Sequence, residues 1–268
     1  YFKVAAIVAV FAAIMDLISF KTVKEHVVPE NSEKFSLKLG IKSVVTNKPL
    51  LIVQIANAVG LLAMIMRGNF NYYYCVYYNL GSLEIMSLLS LIGTVTGIVG
   101  SLTFIALAKK LDKKKVIFIF AACYIASCLV HYVSGWENMM VIYICSAICS
   151  ISVGGFQVAV MAMMADTIEY GEWRTGQRNE GMITSTRCFV TKLVMAVSGV
   201  VVAFVIGAFG YDPGAAQSME TLNAFHTMMT LVCAGTMLVG TIPMFFYDLT
   251  ESKLAEIMAD LKARKAQN

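Results

Sequence analysis

Apolar and polar residues alternate along this chain in long blocks. Apolar runs occupy roughly residues 1–20, 50–78, 83–108, 116–134, 139–166, 182–209 and 223–247. A helix needs about 20 apolar residues to cross a bilayer, and each run approaches or exceeds that length. The alternating segments of about ten residues that mark a membrane β-barrel do not recur. The pattern therefore predicts an all-α integral membrane protein with seven transmembrane helices.

The polar blocks predict an orientation. Lys21, Lys24, Lys34, Lys38, Lys42 and Lys48 fall in the 21–49 connection, and five lysines crowd the 109–115 stretch "KKLDKKK". Arg174 and Arg178 lie in the 166–181 loop, and Lys253, Lys262, Arg264 and Lys265 in the tail. Those segments alternate along the chain, whereas the opposite side carries only Lys3 and Arg67. Basic loops stay in the cytoplasm, so the C-terminus is expected there and the N-terminus outside. The domain reading is a lone first helix (1–20), a cytoplasmic linker (21–49), a group of six helices (50–247) and a cytoplasmic tail (248–268). In the tail, Leu254, Ile257, Met258 and Leu261 recur at helical spacing, which suits a short amphipathic helix on the membrane surface. The chain begins at Tyr1 inside an apolar run, so it is expected to be a piece of a longer protein.

Composition agrees. Hydrophobic residues make up 58% of the chain and charged ones 14%, with a mean hydropathy of +0.72; soluble domains average about 25% charged. The net charge of +4 follows from the basic loops and calls for no nucleic-acid partner. The seven cysteines form no CxxC pair and mostly lie in apolar runs, so they read as buried free thiols. The three histidines match no metal-ligand spacing, and no nucleotide-binding or hydrolase motif stands in a usable context.

Chemistry is therefore sought among polar groups inside the spans, where a charge costs roughly 2.5–3.5 kcal/mol at mid-bilayer. Lys192 lies three turns into the 182–209 run and should face a polar cavity or an acidic partner. Arg187, nearer the basic end, can snorkel to the interface. Gln157, beside Gly154 and Gly155, makes a polar patch in the 139–166 run. Tyr73 and Tyr77, with Asn71, belong to the stretch "NFNYYYCVYYN" (69–79), which reads either as an interfacial aromatic belt or as a wall for sugar rings. Gly93, Gly97 and Gly100 have the spacing of close helix packing. The most polar stretch, "ADTIEYGEWRTGQRNEG" (165–181), offers paired carboxylates, but they fall at a helix C-terminus, where the helix dipole disfavours negative charge. Asp166, Glu169 and Glu172 should therefore have cationic partners, Arg174 and Arg178 being nearest in the chain. That describes an ion-paired gate more than an acid–base pair, and a membrane enzyme is the weaker alternative.

The same stretch, with the Lys192 segment, "NKPLL" before the second span and "GYDPGAAQS" near 210–218, resembles the glycoside–pentoside–hexuronide:cation symporters of the major facilitator superfamily. Ala165, Asp166, Glu169, Tyr170, Gly171, Glu172, Thr175, Gly176, Arg178, Glu180 and Gly181 match that family's loop between helices ten and eleven. The resemblance implies a partial major facilitator fold: helix six, the central loop and the C-terminal six-helix bundle. It implies sugar:cation symport at a plasma (inner) membrane, with Na⁺ or H⁺ bound by aspartates of an N-terminal half and no other cofactor. Lys192 would lie near sugar and cation, with Gln157, Asn71, Tyr73 and Tyr77 as further substrate contacts. Asp166, Glu169, Glu172, Arg174 and Arg178 would form the cytoplasmic gate. Val160 and Met161 stand where relatives often have Pro-Trp, which puts ring stacking there in doubt, and Asp112 replaces a common Gly. A related fold carrying a non-sugar substrate such as a lysolipid is the nearer alternative. Nothing in the sequence sets the oligomeric state.

Overall fold

The computed structural model describes residues 2–22, 37–77, 83–136, 138–212 and 217–267, without the side chains of 2, 4, 37–39, 74, 77, 83 and 265–267. The described residues form helices α1 (Phe2–Thr22), α2 (Leu37–Thr46), α3 (Lys48–Tyr77), α4 (Leu83–Ala108), α5 (Lys113–Ser134), α6 (Met139–Thr175), α7 (Glu180–Ala208), α8 (Met219–Thr227), α9 (Cys233–Thr241) and α10 (Glu251–Gln267). Among the described residues, seven spans are long and apolar enough to cross a membrane, as the blocks predict. The chain divides into two units, residues 1–37 and 38–268. α1 makes up the first, an apolar helix of 21 residues, long enough at 1.5 Å per residue to cross the apolar layer. Much of the predicted 21–49 linker lies outside the described residues.

In the second unit, α6 packs along α4 on one side and α5 on the other, α3 packs along α7 and α9, and α5 meets α9. Tyr124, Phe156, Phe225, Met163 and Met237 fill the space between them. The α4–α6 contact depends on glycine. A Cβ on Gly100 would overlap the Ile151 carbonyl, and one on Gly154 the Gly97 carbonyl. Small residues allow such close backbone approach where both partners face lipid.

Four elements depart from the apolar pattern. α6 does not stop near residue 166. It runs for 37 residues, about 55 Å at 1.5 Å per residue, so its polar last turns project beyond the apolar layer. Gly176, at φ 72°, ends it in the left-handed conformation, its N–H donating to the Glu172 carbonyl. Part of the expected linker is helix α2, which docks on the bundle through buried Val44 and through Gly40 against Met182. The last span is broken: a π-helical turn at Met228–Val232 separates α8 from α9, and a 3₁₀ turn at Ile242–Phe246 ends it. Finally, α10 packs on α6 by burying Leu254, Ile257 and Leu261. Its apolar face is thus satisfied within the protein, and only Met258 of the predicted stripe remains exposed.

Candidate functional site

The polar stretch 165–181 is the last turns of α6, a short turn and the start of α7. Its acids find cations, though not all in the expected pairs. Asp166 pairs with Lys113, at 2.8 and 3.0 Å, and Lys113 also reaches Glu251 at 3.2 Å. The partner lies 53 residues away because α5 begins beside the point where α6 leaves the apolar layer. Arg178 holds the other carboxylates: Nη1 meets Glu169 at 3.0 Å and Glu172 at 2.9 Å, and Nε meets Glu180 at 3.4 Å. Burial works against its charge, but Glu172 and Glu169 outweigh that effect and hold its pKa above the usual arginine range. Arg174 pairs with no carboxylate among the described residues and donates to the Thr46 carbonyl at 2.7 Å, fastening α2 to α6. Asn47 adds to that fastening. Its side chain accepts from the Leu50 N–H at the start of α3 and donates to the Thr167 carbonyl of α6 at 2.9 Å.

Two further contacts close this basic end. Lys114 donates to the carbonyls of Phe245 and Tyr247, at 2.9 and 2.8 Å, which the last span leaves free. Trp173 donates to Asp260 of α10 at 2.7 Å, and Arg264 grips the same carboxylate at 2.6 Å.

The candidate substrate residues lie on different elements. Lys192 is exposed on α7 and has no hydrogen bond or ion pair among the described residues. Gln157 is half-buried on α6, its amide 3.5 Å from the Met64 sulfur. Asn69 of α3 donates to Ser198 of α7 at 3.3 Å, and both helices run away from the basic end. Stepping back six residues to Lys192 and five to Met64 gives about 9 and 7.5 Å at 1.5 Å per residue. Lys192 and Gln157 therefore share a depth, although no hydrogen bond joins them among the described residues. Tyr73 packs edge-on against Tyr211 at 5.4 Å and tilted against Phe225 at 5.4 Å, with one flank on a groove between α3 and α7. Asn71 points to a different space, between α3, α4 and α6. The side chain of Tyr77 lies outside the described residues. Arg187 does not simply snorkel: its Nε is buried and has no partner among the described residues.

The charge pattern assigns Arg67 to the outer side. It lies instead inside the second span, between α3, α5 and the last span. Nη1 donates to the Met229 carbonyl at 2.9 Å, within the π-helical turn, and lies 3.6 Å from Cys128 Sγ; Nη2 is 3.4 Å from His131 Nδ1. The forewarning in the sequence is that Arg67 stands eleven residues short of residue 78, the outer end of its apolar run, too far in for a helix-end residue. The seven cysteines are free, as expected, although Cys123 and Cys188 are exposed.

The family model described as MFS/sugar transport protein matches residues 1–251. A glucuronide carrier protein homolog of Escherichia coli (strain K12) is 30% identical over 263 residues, covering 97% of this chain and 56% of that protein. An isoprimeverose transporter of Lactiplantibacillus pentosus is 28% identical over 272 residues, covering 100% of this chain and 56% of that protein. The chain thus spans about half the length of the curated relatives it matches.

Proposed function

Because this chain belongs to the MFS/sugar transport protein family, a family of transporters and not enzymes, we propose that it is the C-terminal half of a symporter moving a sugar or sugar derivative with Na⁺ or H⁺. The six spans after α1 form one bundle, the linker leads to it, and an N-terminal bundle supplies the cation ligands. The basic end faces the cytoplasm of a cell whose plasma membrane holds the protein, as the distribution of lysines and arginines supports. The bundles rock about a site between them near mid-membrane.

The observation that carries this reading is Lys192: a cation inside a span, exposed, at the depth of Gln157, and with no acid to neutralise it among the described residues. Such a residue belongs at a substrate or ion pathway. The network of Asp166, Glu169, Glu172, Arg174 and Arg178 ties α6, α7, α5 and α2 at the cytoplasmic end and serves as the gate that opens as the bundles rock.

Uptake of a labelled sugar into cells expressing the complete transporter tests the reading. Lys192→Ala should abolish uptake driven by a cation gradient while the protein still reaches the membrane. Normal uptake by that variant removes Lys192 from the pathway. Uptake of a lysolipid that sugars do not compete against would favour the non-sugar alternative.

A further inference from the structure

Arg67, another cation inside the spans, is not used by that reading. Arg67 has no carboxylate partner among the described residues. Leaving a charge in a span without a counter-ion is costly, and its three contacts recover only part of the cost, since a backbone carbonyl, a thiol and an imidazole carry no full negative charge. All three contacts lie on α5 and the last span. Guanidinium has five N–H donors in a planar fork, and three of them account for the contacts with Met229, Cys128 and His131. The remaining two, Nε–H and one N–H of Nη2, have no partner among the described residues.

On its α4–α6 side Arg67 borders a cavity of about 350 Å³, within the size range of small-molecule sites. Besides Arg67, its polar lining is supplied by Asn71, Ser90, Ser146 and Ser150 with Tyr124 and Cys149, and no aspartate or glutamate lines it among the described residues. The Ser90 hydroxyl donates to the Met86 carbonyl. The Asn71 amide and the Ser146 and Ser150 hydroxyls have no hydrogen bond among the described residues, so their donors are available to a ligand. A space with one fixed cation, neutral donors and no acid repels metal ions and suits an oxyanion.

We infer that Arg67 and this cavity form an oxyanion subsite, taking the carboxylate or sulfonate of an acidic sugar through the unused guanidinium donors, with Asn71, Ser146 and Ser150 as supporting donors. The inference rests on the sugar-transport reading above and adds a specificity determinant separate from Lys192. Paired N–H donors on a planar fork match the two oxygens of such a group, and lysine would supply charge without the fork.

The test compares uptake of phenyl glucuronide and phenyl glucoside by the complete transporter, each competed with the other, in wild type and in Arg67→Lys and Asn71→Ala. The wild type should favour the glucuronide, and sugars carrying a free, ionised sulfonate on carbon should compete with it. Arg67→Lys should reduce the preference about tenfold or more while glucoside uptake stays within about twofold. Asn71→Ala, which leaves the contacts to α5 and the last span intact, should reduce it by a smaller factor. If both variants lower uptake of the two sugars in proportion, or if the wild type takes up the glucoside with no competition from acidic sugars, the subsite is overturned and the transporter reading stands. If the complete protein moves neither sugar, both readings fall.

Discussion

Arg178 and Arg67 are both guanidinium groups that join helices, and they do so in opposite ways. Arg178 sits between α6 and α7 among three carboxylates, and it is itself partly in water, 45% exposed. Arg67 sits inside a span among a carbonyl, a thiol and an imidazole. At the end of the bundle, water lowers the cost of each charge, so several acids can gather about one arginine and be released again. Inside the span, an acid placed to neutralise Arg67 would have made a permanent strut. Without one, the charge is held in place by weak partners and its field is still available to a ligand.

Removing each arginine should expose that difference. The largest effect is expected from Arg178→Glu, which puts a fourth carboxylate among Glu169, Glu172 and Glu180. Glu172 is 7% exposed, so its charge has little water to fall back on. A loss of about 2–4 kcal/mol is expected in thermal unfolding of the purified protein, the upper end discounted because Arg178 is half-exposed. Adding Glu172→Gln should recover part of it, and no recovery would mean that Glu172 is not the strained group. Asp166→Asn comes next. It leaves Lys113 with Glu251 alone, so a loss of about 1–2 kcal/mol is expected, restored by exchanging the two charges in Asp166→Lys with Lys113→Asp.

Arg67→Met should cost less than either, about 1 kcal/mol or below, despite its deeper location. It takes one strong partner from the Met229 carbonyl and two weak ones from Cys128 and His131, and it removes a charge that was expensive to hold. A loss of several kcal/mol in the same unfolding measurement would show that Arg67 is a strut after all and would erase the contrast with Arg178.

What was legible in the sequence follows the same division. The seven spans could be read because each needs only its own run of apolar residues, and close packing by α4 because Gly93, Gly97 and Gly100 stand at a fixed spacing, but not that α6 is the partner. The grouping of Arg178 with Glu169 and Glu172 could be read because all lie within ten residues. The Lys113–Asp166 pair spans 53 residues and could not. Arg67 was harder still, because its strongest partner is a main-chain carbonyl in a π-helical turn, and any residue at Met229 would present one. The length of α6 was missed because its last turns are polar and look like a loop until α2, α7 and α10 pack around them. The docking of α10 was missed for the related reason that an apolar stripe does not say whether lipid or protein will cover it.

The smallest effect concerns that docking. The Trp173 indole N–H, and after it Arg264, hold the Asp260 carboxyl below its usual range. A carboxylate whose pKa is depressed in the folded state stabilises the contact fully above its unfolded value, here 3.8, and loses the contribution as pH falls through the folded value. Between about pH 5 and 8 the α10–α6 contact should therefore be indifferent to pH, and it should loosen only in stronger acid. Trp136 and Trp173 are the two tryptophans of the chain, so in a Trp136→Phe background the emission of Trp173 reports on the contact. A red shift confined to acid below the usual carboxylate range is expected, and Asp260→Asn should remove that step without shifting the unfolding of the bundle. A shift near neutral pH, or an unchanged acid step in Asp260→Asn, would mean that the buried face of Leu254, Ile257 and Leu261 alone holds the helix, and that the charges at this end matter at Arg178 and Lys113 but not at α10.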